Sequence, residues 1–368
     1  LGIGGATKYA IMKNQGNKKY NESFMNTVFM AIVIGIIFFL TGIIFSGNIA
    51  TLLGANKQVY HMTSIYLKVL LMFGPAFVLN NVMNAFVRND GNPKLSMIAM
   101  LVGSFGNIIL DYLLVIKFSM GMFGAVLATG FSPIMGLMVL SGHIVSENSN
   151  IKFKVAKIRA SFIKSIIMLG IPSFVTEMSS GIVIFVFNII ILGLQGNVGV
   201  AAYGVIANLA LVVISIYTGV AQGSQPLFSA AYGKNDKKMQ KQLFKYAITA
   251  VTLISIVIYA VILLFANPIT SIFNGEGNMK LQAMAVKGMY LYFTSILFIG
   301  MNIVMATYFA AREKVIPSYI ISFGRGFVVI IPMAFIMSFI WKMTGVWLAM
   351  TVTEGIIAAV GVALIKKA

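Results

Sequence analysis

Apolar residues run along this chain in stretches of about twenty or more, separated by short polar or glycine-containing breaks. Read with a window of about 19 residues, the stretches lie near 23–45, 62–87, 95–116, 122–145, 162–194, 198–222, 243–266, 284–310, 316–340 and 345–365. Each is long enough to cross the hydrocarbon of a bilayer as a helix, so ten spans are predicted, preceded by a helical fragment at the start. Composition says the same thing independently: 59% of the 368 residues are hydrophobic and 10% charged, whereas a soluble domain carries roughly a quarter. Cysteine is absent, so disulfide and thiolate chemistry are excluded.

The formal charge of +18 would suit a nucleic-acid partner, but its distribution points elsewhere. Basic residues fall in alternate connections: Lys13, Lys18 and Lys19; Arg88 and Lys94; Lys152, Lys154, Lys157 and Arg159; Lys234, Lys237, Lys238, Lys241 and Lys245; Arg312 and Lys314; Lys366 and Lys367. The intervening loops hold little more than Lys57, Lys117, Lys280 and Lys342. That alternation is the positive-inside pattern, which places the rich loops and the C-terminus in the cytoplasm and makes anionic lipid headgroups the partner of the basic residues. No nucleic-acid partner is expected.

Two long segments resemble each other at an offset of about 220 residues. "QGNKK" from Gln15 answers "YGKNDKK" from Tyr232, and "FSGNIATLLGAN" from Phe45 answers "FANPITSIFNGEG" from Phe265. "NVMNAF" from Asn81 answers "NIVMATYF" from Asn302, and "GAVLAT" from Gly124 answers "GVWLAM" from Gly345. The expected fold is therefore an all-α membrane protein of two pseudo-symmetric six-helix bundles, related by an axis along the membrane normal. Residues 1–145 form the first lobe, 146–161 a cytoplasmic linker between lobes, and 162–368 the second lobe. The second copy starts near Phe162, and its first helix and most of its second have no counterpart before Leu1. A full form with twelve helices is the expectation, with the first and part of the second missing here.

The paired "GATKYAIMKNQGNKK" and "GSQPLFSAAYGKNDKK", with "GNIILDYLLV", "GIPSFVTEMSS" and the position of the linker, resemble the multidrug and toxic compound extrusion (MATE) family in its bacterial branch, over the whole chain. The resemblance implies two bundles around a central cleft in the bacterial plasma membrane. It also implies export of amphipathic, often cationic compounds by alternating access, driven by inward movement of protons or sodium. No cofactor beyond that coupling ion is implied, and the expected assembly is a monomer.

Few polar groups sit inside the predicted spans, and a carboxylate there costs on the order of 3 kcal/mol on insertion scales unless it faces a cavity or a partner. Asp111 lies one helical turn from Asn107, so the two share a face. With a rise of about 1.5 Å per residue, Asp111 stands about 9 Å below the outer end of its span and Thr129 about 12 Å down the next, so the three can meet at one depth. In the resembled family the corresponding Asn, Asp and Thr line a cation-coupling site, assisted by an aspartate on the first helix that has no equivalent here. Tyr66 is a further candidate for the same network. A desolvated carboxyl holds a proton near neutrality and releases it when wetted, while Asp, Asn and Thr oxygens equally suit sodium, and a structural clamp that never titrates stays open as well.

Glu177 is the second acid inside a span, within the polar run Thr176, Glu177, Ser179 and Ser180, and substrate contact is its expected role, against a structural or coupling one. Met178, Phe185 and Phe187 nearby would supply a soft, flat binding wall. Gln222 and Gln225, before Pro226, would hydrate the cleft. Glu354, about 14 Å down the last helix, would hydrate the cavity of the second lobe or pair with Arg325. Asp90, Asp236, Glu276 and Glu313 read as solvated loop residues, and His61 and His143 as residues near the interfaces. Gly74 with Pro75, and Pro332, would let helices bend.

Other functions fit less well. A flippase of lipid-linked oligosaccharides would show several basic residues within the spans, where Arg325 is nearly alone. An embedded enzyme lacks a local acid–base constellation, and ATP has no P-loop to bind.

Overall fold

The computed structural model describes residues 1–153 and 156–367, so Lys154 of the basic linker lies outside the described residues. Among those described, the regular structure is entirely helical. The elements are α1 (Gly2–Asn14), α2 (Tyr20–Leu52), α3 (Tyr60–Met72), α4 (Gly74–Asn89), α5 (Pro93–Asp111), α6 (Gly121–Val145), α7 (Ala160–Gly233), α8 (Lys237–Phe273), α9 (Met279–Tyr292), α10 (Ile296–Ala311), α11 (Val315–Phe323) and α12 (Ile330–Lys367). Short turns of wider radius, π-helical, follow α5 at Tyr112–Lys117 and α11 at Gly324–Val328.

These elements supply the ten predicted spans once their breaks are counted. Six helical segments, α7 among them, and the α11–α12 run are long and apolar enough to cross a membrane, and α3 with α4 makes one more, bent by 45°. The α7 run is two helices joined at Gly196, whose φ of 62° and ψ of −157° only glycine adopts freely. The α11–α12 run divides at Trp341 and Lys342, the latter at φ 50°. The bend between α3 and α4 falls at Gly74 and Pro75, where proline at the first turn of α4 cannot continue the hydrogen bonding of α3.

Local chemistry starts several helices. Asn92 accepts from the Leu95 N–H at 3.1 Å and is followed by Pro93 at the first helical position of α5. Asp236 caps α8 through the Met239 N–H at 2.8 Å, and Asn278 caps α9.

The chain divides into two compact units, Leu1–Gly170 and Ile171–Ala368, with the division inside α7. In the first, α2, α4 and α6 enclose a core of Tyr9, Phe24, Phe86, Val82 and Leu140. The segment after α6 is no solvated strand: Ile151 is buried, Phe153 packs edge-on against Phe24, and Asn21 and Asn26 of α2 hydrogen-bond the backbone of Lys152, Lys157 and Arg159. In the second unit, Tyr203, Tyr217, Phe228, Phe293 and Trp347 anchor the core.

The internal repeat has a physical counterpart in packing. Phe86 meets Tyr9 and Phe24 at 5.5 and 5.1 Å, and Tyr308 meets Phe228 and Phe244 at 5.2 and 4.6 Å. Likewise Ser96 Oγ donates to the Asn84 carbonyl and Ser318 Oγ to the Ala306 carbonyl, each twelve residues back across a hairpin.

Candidate functional site

Four acids decide where chemistry can occur, and each meets a different environment. Asp111 closes α5 and is half-buried, directly before the π-helical turn Tyr112–Lys117. Such turns free a backbone group from the regular ladder and recur at functional sites. α5 and α6 pack closely: Ser132 Oγ donates to Gly103 O at 2.9 Å, and a Cβ on Gly124 would stand 3.0 Å from Leu114 O. This antiparallel register puts Asn107 level with Thr129 and Asp111 about one turn further along. Thr129 Oγ1 donates within its own helix to Ala125 O at 3.0 Å, which leaves its lone pairs free to accept. Asn107 Nδ2 is buried without a partner. No hydrogen bond or ion pair joins Asp111 to any described residue. Tyr66, on α3, is half-buried, and no hydrogen bond links it to Asp111.

Glu354 lies at full burial in α12 and is matched on both oxygens. Its Oε1 accepts from Arg325 Nε at 3.0 Å and Nη2 at 2.9 Å, and its Oε2 accepts from Asn302 Nδ2 at 2.6 Å. Arg325 belongs to the other π-helical turn and is flanked by glycines. A Cβ on Gly326 would come within 2.8 Å of Ser179, and one on Gly324 within 2.5 Å of Ile357, so α7 and α12 close on either side of the guanidinium stem. The pair borders a small cavity also lined by Thr176, Ser179, Tyr203 and Tyr292. Ser180 joins the polar wall, while Val183, Ile184 and Leu211 make it apolar.

The other residues singled out on α7 take separate positions. Glu177 is exposed and stands outside the lining of this cavity, as do the exposed Met178 and Phe185. Phe187 is wholly buried and stacks on Tyr203 at 5.5 Å, a core contact. Gln225 is buried and donates to Ser229 Oγ at 3.1 Å; Gln222 is half-buried.

Asp90 corrects the sequence reading outright. It is not solvated: its side chain has no exposed surface and gathers five hydrogen bonds, from Tyr9 Oη at 2.7 Å, Lys13 Nζ at 2.6 Å, His143 Nε2 at 2.9 Å and Asn150 through its backbone N–H at 2.8 Å and Nδ2 at 3.1 Å. Burial by itself would raise its pKa, but these donors outweigh it and hold the carboxyl below the ordinary value of 3.8. His143 is likewise buried. Asn92 Oδ1 is committed to capping α5, so its Nδ2 faces His143 Nδ1 at 3.4 Å, and Nε2 is the nitrogen that donates to Asp90. Among the remaining loop acids, Asp236 and Glu276 are exposed as expected, and Glu313 is half-buried.

Sequence reasoning missed Asn302, Tyr203 and Tyr292 beside Glu354. An asparagine inside the apolar run "IGMNIVMA" was the available signal for the first, whereas tyrosines in spans are too common to stand out.

The comparisons with known proteins agree with this architecture. Multidrug export protein MepA of Staphylococcus saprophyticus is 27% identical over 363 residues, covering 97% of this chain and 79% of that protein. MepA of Staphylococcus aureus, bovine strain RF122, is 28% identical over 348 residues, covering 94% and 76%. An outward-facing multidrug resistance MATE family transporter of the MOP superfamily superposes with a TM-score of 0.92 at 22% identity, over 99% of this chain and 82% of that one. A MOP superfamily transporter from Pyrococcus furiosus gives 0.91 at 22% identity, with the same coverage. The MatE family model matches residues 1–113 and 172–336, and the chain belongs to this MATE family of membrane transporters.

Proposed function

We propose that this chain exports amphipathic, often cationic compounds across the bacterial plasma membrane as a monomer, in exchange for protons or sodium ions, with its C-terminus in the cytoplasm. The similar staphylococcal proteins are multidrug export proteins, which supports the substrate class. The alternating arrangement of basic loops supports the orientation.

One observation carries the ion coupling. Asp90 and Glu354 each have a cationic partner inside the protein, at 2.6 and 2.9 Å, whereas Asp111 has none among the described residues. A carboxyl at membrane depth without an internal counter-charge is open to one from outside, a proton or a metal cation. Asn107 and Thr129, level with each other one turn away, offer neutral oxygens to a small hard cation. Occupancy of Asp111 would favour one conformation and vacancy another, which is the coupling that exchange transport requires. Exposed Glu177, with Met178 and Phe185 beside it, is the proposed counter-charge for a cationic substrate.

The test is dye efflux from vesicles holding the full chain, with proton and sodium gradients imposed separately. Wild type is expected to respond to at least one gradient, and Asp111→Asn to lose that response by tenfold or more while dye still binds. Undiminished gradient-driven efflux in Asp111→Asn would refute the assignment.

A further inference from the structure

The cavity beside Arg325 and Glu354 has a chemical character opposite to that of a site for cations. A guanidinium has five N–H donors, of which Glu354 takes two, leaving three without a partner among the described residues. The phenols of Tyr203 and Tyr292, both almost wholly buried, also line the cavity with no hydrogen-bond partner among those residues. Glu354 cannot serve as counter-charge for an incoming ammonium, because Arg325 already neutralises it at 2.9 Å and would repel the newcomer. What remains open is a surplus of donors, the strongest of them positively charged, facing space that water can enter.

The geometry points to a subsite in the second unit that receives the carboxylate of a zwitterionic or anionic amphiphile, with Arg325 and the Tyr203 and Tyr292 hydroxyls as its donors and Glu354 as an internal stand-in that holds Arg325 when the site is empty. The space that water can enter, about 40 Å³, accommodates roughly three waters, which is the size of one carboxylate head. The apolar body of such a ligand would lie along Val183, Ile184 and Leu211, the last of which is exposed and marks where the cavity opens. Thr176, Ser179 and Ser180 do not compete as donors, because each hydroxyl already donates to a backbone carbonyl of its own helix. Arg325 is presented without slack, since Gly324 and Gly326 let the neighbouring helices press on its turn. The inference rests on the export reading only in taking the ligand to be a transported compound.

The experiment compares a xanthene dye bearing a free carboxylate with the methyl ester of the same dye, binding to the purified full chain by fluorescence polarisation at a pH where the acid is ionised. Wild type is expected to bind the acid at least tenfold more tightly than the ester, and Arg325→Gln to abolish that preference by weakening the acid alone. Glu354→Gln, which frees the guanidinium, is expected to tighten the acid several-fold. Because each single change leaves a buried group unpaired, the neutral double variant Arg325→Gln with Glu354→Gln is measured beside them, and it too should show no preference. Equal binding of both dyes by wild type, or a preference that survives in the double variant, overturns the proposal. Gradient-driven efflux of both dyes from vesicles separates the two readings. A preference in binding without any driven efflux leaves the subsite standing and sinks the export reading, whereas driven efflux of the ester without any preference sinks the subsite alone.

Discussion

Three acids buried or half-buried in this protein answer the same energetic problem in three ways. A desolvated carboxylate costs several kcal/mol unless it is paired and hydrogen-bonded. Asp90 is over-supplied with donors, Glu354 is matched by one cation and one amide, and Asp111 is left open. The first arrangement is suited to permanence. Asp90→Asn is expected to lower stability by about 3 kcal/mol, because Lys13 loses its counter-charge and one of the two acceptor oxygens becomes an amide nitrogen that faces other donors. The pH dependence follows from the depressed pKa: the stabilisation is present wherever the unfolded carboxyl would be ionised, and it is lost as pH falls through the still lower folded value. The gap between wild type and Asp90→Asn in thermal melts should therefore stay level from neutrality to about pH 4 and close below it. A gap that is absent at pH 7, or that closes above pH 5, would contradict this account. Asp111 was legible in the sequence because an acid in an oily run needs only local pattern to be noticed. Asp90 was not, because "RNDGN" reads as a turn, and the groups that bury it come from 77 to 81 residues upstream and 53 to 60 downstream.

At the scale of elements, the spans were readable and their joints less so. Hydropathy marks where chain lies in hydrocarbon, so the ten stretches survive as helices, but it cannot say whether two of them run together. Gly196 is the case in point: the break "QGN" at 195–197 marks the joint in the sequence, but only the structure shows that one residue at φ 62° turns the chain there between two spans with almost no loop. The other joint, at Trp341 and Lys342, depends on close approach. A Cβ on Gly345 would overlap the carbonyl oxygen of Met337, so the backbone itself would have to move. Gly345→Ala is expected to cost roughly 2–3 kcal/mol, in the range of overpacked cores. Gly142, in α6 with nothing within 4 Å of a built Cβ, is the control, and Gly142→Ala should leave stability unchanged or raise it by up to about 1 kcal/mol. Equal melting temperatures for the two variants would show that the Gly345 contact relaxes freely. The π-helical turns beside Asp111 and at Arg325 belong to the same class of unreadable joint, since a single extra residue in a helical turn leaves no mark on hydropathy.

For the whole molecule, the strongest statement the sequence makes is about sidedness, and it can be checked with unusual economy because the chain contains no cysteine. The basic connections alternate with neutral ones, and anionic lipid together with the positive-inside bias would hold Lys234, Lys237, Lys238 and Lys241 in the cytoplasm while the connection at Glu276 faces outward. The structure supplies sites to test this without disturbing packing. Lys234 lies exposed after α7, and Glu276 lies exposed between α8 and α9. The two are separated by the single helix α8, whose 37 residues give it ample length to cross. Lys234→Cys and Glu276→Cys should therefore react oppositely with a membrane-impermeant maleimide: the second in intact cells, the first only after permeabilisation. Labelling of both from the same side would remove α8 from the membrane and, with it, the parity that places every other loop. Labelling in the reverse sense would keep the spans and invert the protein. Inversion would also put the Asp90 cluster, with its lysine-rich neighbours Lys13, Lys18 and Lys19, on the outer face, where the negative cytoplasmic leaflet could no longer offset their charge.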